Sequence, residues 1–206
     1  IVSFYGVLGA NCVLVPVNPM LQPDEIRNII LDSGAKFVIV ATELLDNLLQ
    51  AISQNRFKDT MILATNYSDS VLKKFNVKLP DELVARFPEL PRRNLYYWKD
   101  ALKTKVVESK HNRKLSDLSI IPYTSGTTGK PKGCEHTYQS VNAVIHAYSE
   151  WLPLPESSKI LASLPLFHVT GMQNSMNVPI FRGDTIVLMI RWNVDTALYL
   201  IQKYKI

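Results

Sequence analysis

Short runs of β-branched and aliphatic residues alternate along the chain with segments whose apolar positions recur every three or four residues. Residues 13–17, 37–40 and 61–64 read as strands, bounded by polar or turn-forming positions. Residues 24–31 read as a helix with Pro23 in its first turn, and 42–53 as a second helix capped by the Thr42 hydroxyl. This β-α-β-α-β series makes residues 1–65 a first lobe. From 66 to 117 the periodicity fades among Pro80, Pro88 and Pro91, which predicts an irregular connection. Regularity returns over 118–206, with strands at 120–123, 160–164 and 186–189 and a helix at 138–151. The pattern predicts an α/β protein of alternating strands and helices with mostly parallel sheets. No fixed-period repeat is present, which excludes a solenoid.

Both ends of the chain read as interruptions. Ile1 stands inside an apolar run without a capping residue, and 194–206 keeps a helical spacing with no Gly or Pro to end it. The sequence is therefore expected to be a piece of a longer polypeptide.

Composition narrows the class. With 206 residues, 47% hydrophobic and 20% charged, the chain is globular rather than disordered or coiled-coil. A net charge of +5 suits phosphorylated ligands as well as nucleic acid. The basic stretch 99–114, preceded by Tyr96, Tyr97 and Trp98, is read as a solvated connection because no nucleic-acid module accompanies it. Peripheral contact with an anionic membrane is chemically compatible with it. Cys12 and Cys134 stand in no metal or redox spacing, so two reduced thiols and a cytoplasmic location are expected. No apolar run is long enough to span a membrane, and 1–17, interrupted by Asn11 and Pro16, reads as core rather than leader.

The chemically informative segment is Tyr123-Thr124-Ser125-Gly126-Thr127-Thr128-Gly129-Lys130-Pro131-Lys132-Gly133. It follows a strand and precedes a helix, so its N–H groups can converge on an anion beside a helix N-terminus. Hydroxyls at 124, 125, 127 and 128 add donors, the glycines allow close backbone approach, and Lys130 and Lys132 bring charge. A P-loop phosphotransferase is a weaker reading, since two residues rather than the four of a Walker loop separate Gly126 from Gly129, and Pro131 follows Lys130.

This segment closely resembles the phosphate-loop signature of the AMP-forming acyl-CoA synthetase, luciferase and peptide-synthetase adenylation superfamily. Pro165-Leu166-Phe167-His168-Val169-Thr170-Gly171 resembles that family's next motif, and residues 9–19 with 32–36 are similar to its upstream region in fatty acyl and aryl CoA ligases. The resemblance implies the large N-terminal domain of the adenylate-forming fold, with 118–206 as its phosphate-loop lobe. It also implies a two-step reaction using ATP, magnesium and CoA, in which a carboxylic acid, most like a medium- or long-chain fatty acid, becomes an acyl adenylate and then a thioester. Thr124, Ser125, Gly126, Thr127, Thr128 and Gly129 would hold the β- and γ-phosphates, with Thr127 also at the metal. Lys132 would neutralise departing pyrophosphate, with Thr128 beside it, and Lys130, at a variable position, would contribute less. His168 would lie near the carboxylate and ATP, although a lone His in an apolar run is most often a satisfied core residue. Met172 and Met176 could line an acyl tunnel, but core packing alone would account for them. The family's adenine, ribose and catalytic-lysine blocks are absent from this sequence, so the chain by itself is expected to be inactive. A rival reading is a non-catalytic phosphate-binding protein, and aryl or amino acids are the rival substrates.

Overall fold

The computed structural model describes residues 1–67, 94–105, 110–124 and 131–206. Its contacts group the chain into two units, one of Pro19–Ser109 and one that joins Ile1–Asn18 to Lys110–Ile206.

The unit Pro19–Ser109 is built on a parallel sheet of β1 (Phe37–Ala41), β2 (Met61–Thr65) and β3 (Leu95–Tyr97), in that order. Register pairs Val38 with Ile62 and Val40 with Ala64, and Ile62 with Leu95. Because side chains alternate across a strand, these residues share one face. That face packs on α2 (Pro23–Ser33) and α3 (Leu45–Ala51) in a core that includes Ile30, Leu45, Leu48, Ala51 and Ile52. The α2 helix starts with Pro23, the Gln22 N–H donates to the Glu25 carboxylate at 2.8 Å, and Gly34 in the left-handed region ends it. Arg27 Nε donates to the carbonyl of Ala51 at 2.9 Å, tying α2 to the end of α3. On the opposite face Phe37, Met61 and Tyr96 are exposed around an apolar groove of about 450 Å³ that continues to α4 (Trp98–Ala101).

Two expectations change in this unit. Residues 42–53 do not form one helix: Leu44 leaves helical geometry between a 3₁₀ turn at Thr42–Leu44 and α3, and neither start has a side-chain cap because the capping positions are Ala41 and Leu44 rather than Thr42. The connection expected over 66–117 contains β3, whose pairing with β2 is a long-range contact that local periodicity does not reveal.

The other unit begins with α1 (Val2–Gly9). After it Asn11 turns at φ 60°, a conformation that Asn tolerates better than most residues. Its side chain donates to the Lys110 carbonyl at 3.1 Å and accepts from Asn112 N–H at 3.3 Å, while Arg113 donates to its carbonyl. The strand expected at 13–17 reduces to one parallel bridge, Leu14 to Ile120, flanked by Pro16, which has no N–H to extend it. Leu14 N–H donates to Ser119 and Ile121 N–H donates back to Leu14, at 2.9 and 2.8 Å.

The strand expected at 120–123 is instead divided. Leu118–Ile120 (β4) ends before Pro122, and Tyr123–Thr124 (β5) belongs to another ladder. β5 pairs antiparallel with Lys132–Gly133 (β6), and β4 pairs antiparallel with His136–Thr137 (β7). Next comes α5 (Tyr138–Trp151), then β8 (Lys159–Ala162) parallel to β9 (Thr185–Leu188), and finally α8 (Val194–Tyr204). The β8–β9 crossover carries α6 (Val169–Met172), a π turn at Gln173–Asn177 and α7 (Val178–Arg182), which closes at Gly183 with φ 75°. Phe4, Ile120, Val141, Met172 and Met176 form the core of this unit.

Candidate functional site

The glycine- and hydroxyl-rich segment is carried on a hairpin neck. Tyr123 lies opposite Gly133 and Thr124 opposite Lys132, so the Thr124 hydroxyl and the Lys132 ammonium share one face of the ladder. Both residues are exposed, and among the described residues no carboxylate pairs with Lys132. Ser125, Gly126, Thr127, Thr128, Gly129 and Lys130, which join the two strands in sequence, lie outside the described residues.

The segment does not run straight into a helix as expected. β7 intervenes, and α5 opens at Tyr138, where the Thr137 hydroxyl accepts from Ser140 N–H at 3.2 Å. The reason lies in the return strand: Cys134 N–H donates to Pro122 at 2.9 Å, and β7 then continues along β4. At Gly133 this return passes close to neighbouring side chains. A Cβ there would stand 2.8 Å from Ile121 Cγ2 and 3.2 Å from Tyr123 Cζ.

His168 stands in the loop that leaves the carboxyl end of β8 and enters the crossover helix, the end of an α/β strand where ligands characteristically bind. It is exposed and caps α6, so it is not a core histidine. Its Nδ1 accepts from Thr170 N–H at 3.3 Å, which leaves Nε2 of the neutral ring to carry the proton and donate outward. Its own N–H donates to the Pro165 carbonyl at 3.1 Å. Gly171 packs against the same carbonyl so closely that a Cβ would lie 2.2 Å from it. Met172 and Met176, 0% and 1% exposed, are core residues. Leu166 and Met172 pack in the same core as Ile120, so the histidine motif and the strand leading toward β5 rest on one foundation. The geometry supplies a cation and a hydroxyl on one face of a hairpin, and an outward imidazole donor at a strand's carboxyl end.

Over residues 1–206 the sequence matches the AMP-binding enzyme family. The chain belongs to this family. Among its relatives, the long-chain-fatty-acid–CoA ligase of Bacillus subtilis is 25% identical over 218 residues, an alignment that covers 100% of this chain and 38% of that protein. The inhibitor-bound N-terminal domain of FACL13 from Mycobacterium tuberculosis has a TM-score of 0.74 at 24% identity, covering 98% of this chain and 44% of that one. Bacillus subtilis o-succinylbenzoate CoA synthetase, solved with ATP and magnesium, has a TM-score of 0.66 at 21% identity, covering 99% and 35%. The fold is thus that of the N-terminal domains of adenylate-forming enzymes, and the chain spans less than half the length of these family members.

Sequence reasoning passed over the polar residues behind His168. Gln173, Ser175 and Asn177 are buried, and Tyr5 of α1 donates to Asn177. The signal was present as a polar cluster, Gln173-Asn174-Ser175, inside an otherwise apolar helical run. Among the described residues no group of three or more His, Cys, Asp or Glu is arranged to hold a metal ion.

Proposed function

We propose that the chain is the phosphate- and carboxylate-facing part of an AMP-forming acid–CoA ligase whose substrate is a fatty acid. The carrying observation is the exposed Thr124–Lys132 pair at the neck of the glycine- and hydroxyl-rich loop. In the first step a carboxylate oxygen bonds to the α-phosphorus of ATP as the bond to the bridging oxygen breaks, and pyrophosphate leaves. In the second, the CoA thiol attacks the acyl carbon, AMP departs and the thiol proton is released. No protein nucleophile is required, so the protein acts by positioning and by stabilising charge.

In this reading Thr124, Ser125, Gly126, Thr127, Thr128 and Gly129 hold the β- and γ-phosphates, and Lys130, at a variable position of the signature, contributes less. Lys132 gains its strongest interaction as charge moves onto pyrophosphate, so it favours the transition state over bound ATP. Thr127 would hold magnesium through its hydroxyl, a hard oxygen donor of the kind the ion prefers, and the ion would supply positive charge to the phosphates. His168 directs its Nε2–H toward the carboxylate oxygens and so orients the attacking group. The fatty-acid class is supported by the name of the Bacillus subtilis relative, and the o-succinylbenzoate enzyme keeps an aryl acid as the second arm of the test.

The test is carboxylate-dependent ATP–pyrophosphate exchange by the complete polypeptide, with acetate, octanoate, palmitate and benzoate. Exchange with octanoate or palmitate is expected. Exchange with benzoate alone would replace the substrate class, and a folded, ATP-binding protein inert toward all four would overturn the reading.

A further inference from the structure

The helix behind His168 changes its winding where it is most polar. α6 gives way to the π turn at Gln173–Asn177, and α-helical winding resumes in α7. A π turn takes in an extra residue, and such turns are frequent at functional sites. One residue of an α-helix corresponds to about 100° of rotation, so the turn decides which way the side chains ahead of it face.

The turn is held by a directed chain of hydrogen bonds. Asn177 Nδ2 donates to Gln173 Oε1 at 3.0 Å, bridging the turn from end to end. Asn177 Oδ1 accepts from the Tyr5 hydroxyl at 2.8 Å. Both ends of the amide are engaged, and Gln173 and Asn177 are 4% and 2% exposed. The Tyr5 ring meets Phe4 edge-on at 5.1 Å, and Phe4 belongs to the core that holds Met172 and Met176. Burial pushes the Tyr5 hydroxyl pKa up from a value already well above neutral, so the hydroxyl is a donor. On the other side of the turn, Gly171 has no room for a side chain against the Pro165 carbonyl. The helix is therefore pinned ahead of the π turn by Gly171 against Pro165 and at its far end by Asn177 against Tyr5, and rewinding it as regular α-helix would turn one of the two away from its partner.

We propose that Tyr5, Asn177 and Gln173 form a positioning relay that holds the π turn and so sets the direction in which His168 and Thr170 face. The relay acts through His168 and touches no substrate itself. Its kinetic readout rests on the adenylating reading above, whereas its structural readout does not.

The experiment compares Tyr5→Phe and Asn177→Asp with Val2→Ala, a control at an exposed position of the same helix, in the complete polypeptide. The His168 ring proton resonance, assigned by its loss in His168→Asn, is followed together with ATP–pyrophosphate exchange. Tyr5→Phe removes one hydroxyl and keeps the ring, so the fold is retained. Both relay variants are expected to shift the His168 resonance and raise the KM for carboxylate about five- to tenfold, with the KM for ATP within about twofold and Val2→Ala unchanged. A His168 resonance unmoved by Tyr5→Phe and Asn177→Asp overturns the relay, as does a carboxylate KM that moves equally in the control. If the parent protein shows no exchange, the adenylating reading fails and the resonance alone still decides the relay.

Discussion

Replacing Gly171 by Ala places a methyl group where the structure leaves no space. The new carbon would stand 2.2 Å from the Pro165 carbonyl oxygen, 2.8 Å from the Pro165 carbonyl carbon and 3.1 Å from the carbonyl carbon of Leu164. A non-bonded carbon and oxygen settle at about 3.3 Å or more, so the loop or the helix must move by about 1 Å. All three obstructing atoms are backbone, which cannot rotate aside as a side chain can. Forced repacking of this kind costs about 1–3 kcal/mol. The Pro165 carbonyl also accepts the His168 N–H at 3.1 Å, and losing that bond adds about 1 kcal/mol. The sum, about 2–4 kcal/mol, corresponds to a melting temperature lower by roughly 4–16 °C for a domain of this size. Thermal melts followed by circular dichroism read the shift. Gly6→Ala is the matched control: nothing lies within 4 Å of a Cβ there, and Ala in the interior of α1 should stabilise by about 0.5–1 kcal/mol. A Gly171→Ala protein melting within about 2 °C of the parent would refute the close approach to Pro165.

Arg182→Met should be among the more damaging substitutions. It strands the Asp184 carboxylate, whose side chain is 1% exposed, and frees the Leu154 and Pro155 carbonyls that Arg182 Nη2 holds at 2.9 and 3.0 Å. Denaturant titration should show a loss of about 3–5 kcal/mol that an accompanying Asp184→Leu partly restores, and unchanged stability would contradict the pairing. Because burial raises the Tyr5 pKa in the folded protein, its contribution is complete below the unfolded value of about 10 and declines as pH rises through the folded value. The stability difference between parent and Tyr5→Phe should therefore shrink above pH 10, and a difference that grows there would reverse the argument. Lys132→Ala and Thr128→Ala should each slow the adenylation step by about 10²-fold in single-turnover measurements, and near-parent rates in both would remove the roles proposed for them.

Elements whose residues carry their own instructions were legible in the sequence. The helix predicted over 138–151 has those bounds in the structure, since Thr137 caps it and its apolar positions keep helical spacing. The strands at 37–40 and 61–64 are extended by one residue each, because their aliphatic runs fill the buried face of a parallel sheet. What escaped depends on distant partners. β3 is three residues long and exists through its pairing with β2, and β5 and β6 are two residues each, defined by one another. Residues 13–17 look as strand-like as 37–40, but a turn at Asn11 and the missing donor of Pro16 leave them one bridge. At the candidate site, Thr124, Lys132 and His168 were readable as residues. Their placement was not, since Thr124 faces Lys132 only through hairpin register and His168 caps a helix whose loop contacts with Pro165 arise from tertiary packing.

The grouping of Ile1–Asn18 with Lys110–Ile206 has a consequence for how the polypeptide is made. Leu14 closes its bridge on Ile120, and Tyr5 bonds Asn177, so α1 is synthesised well before these partners. The stretch Pro19–Ser109, a separate unit, is synthesised in the interval. At about 5–20 residues per second, the roughly 100 residues that separate Leu14 from Ile120 take about 5–20 s to translate. During that time Phe4 and Leu8 are without Ile120, Val141, Met172 and Met176, the residues whose core they join.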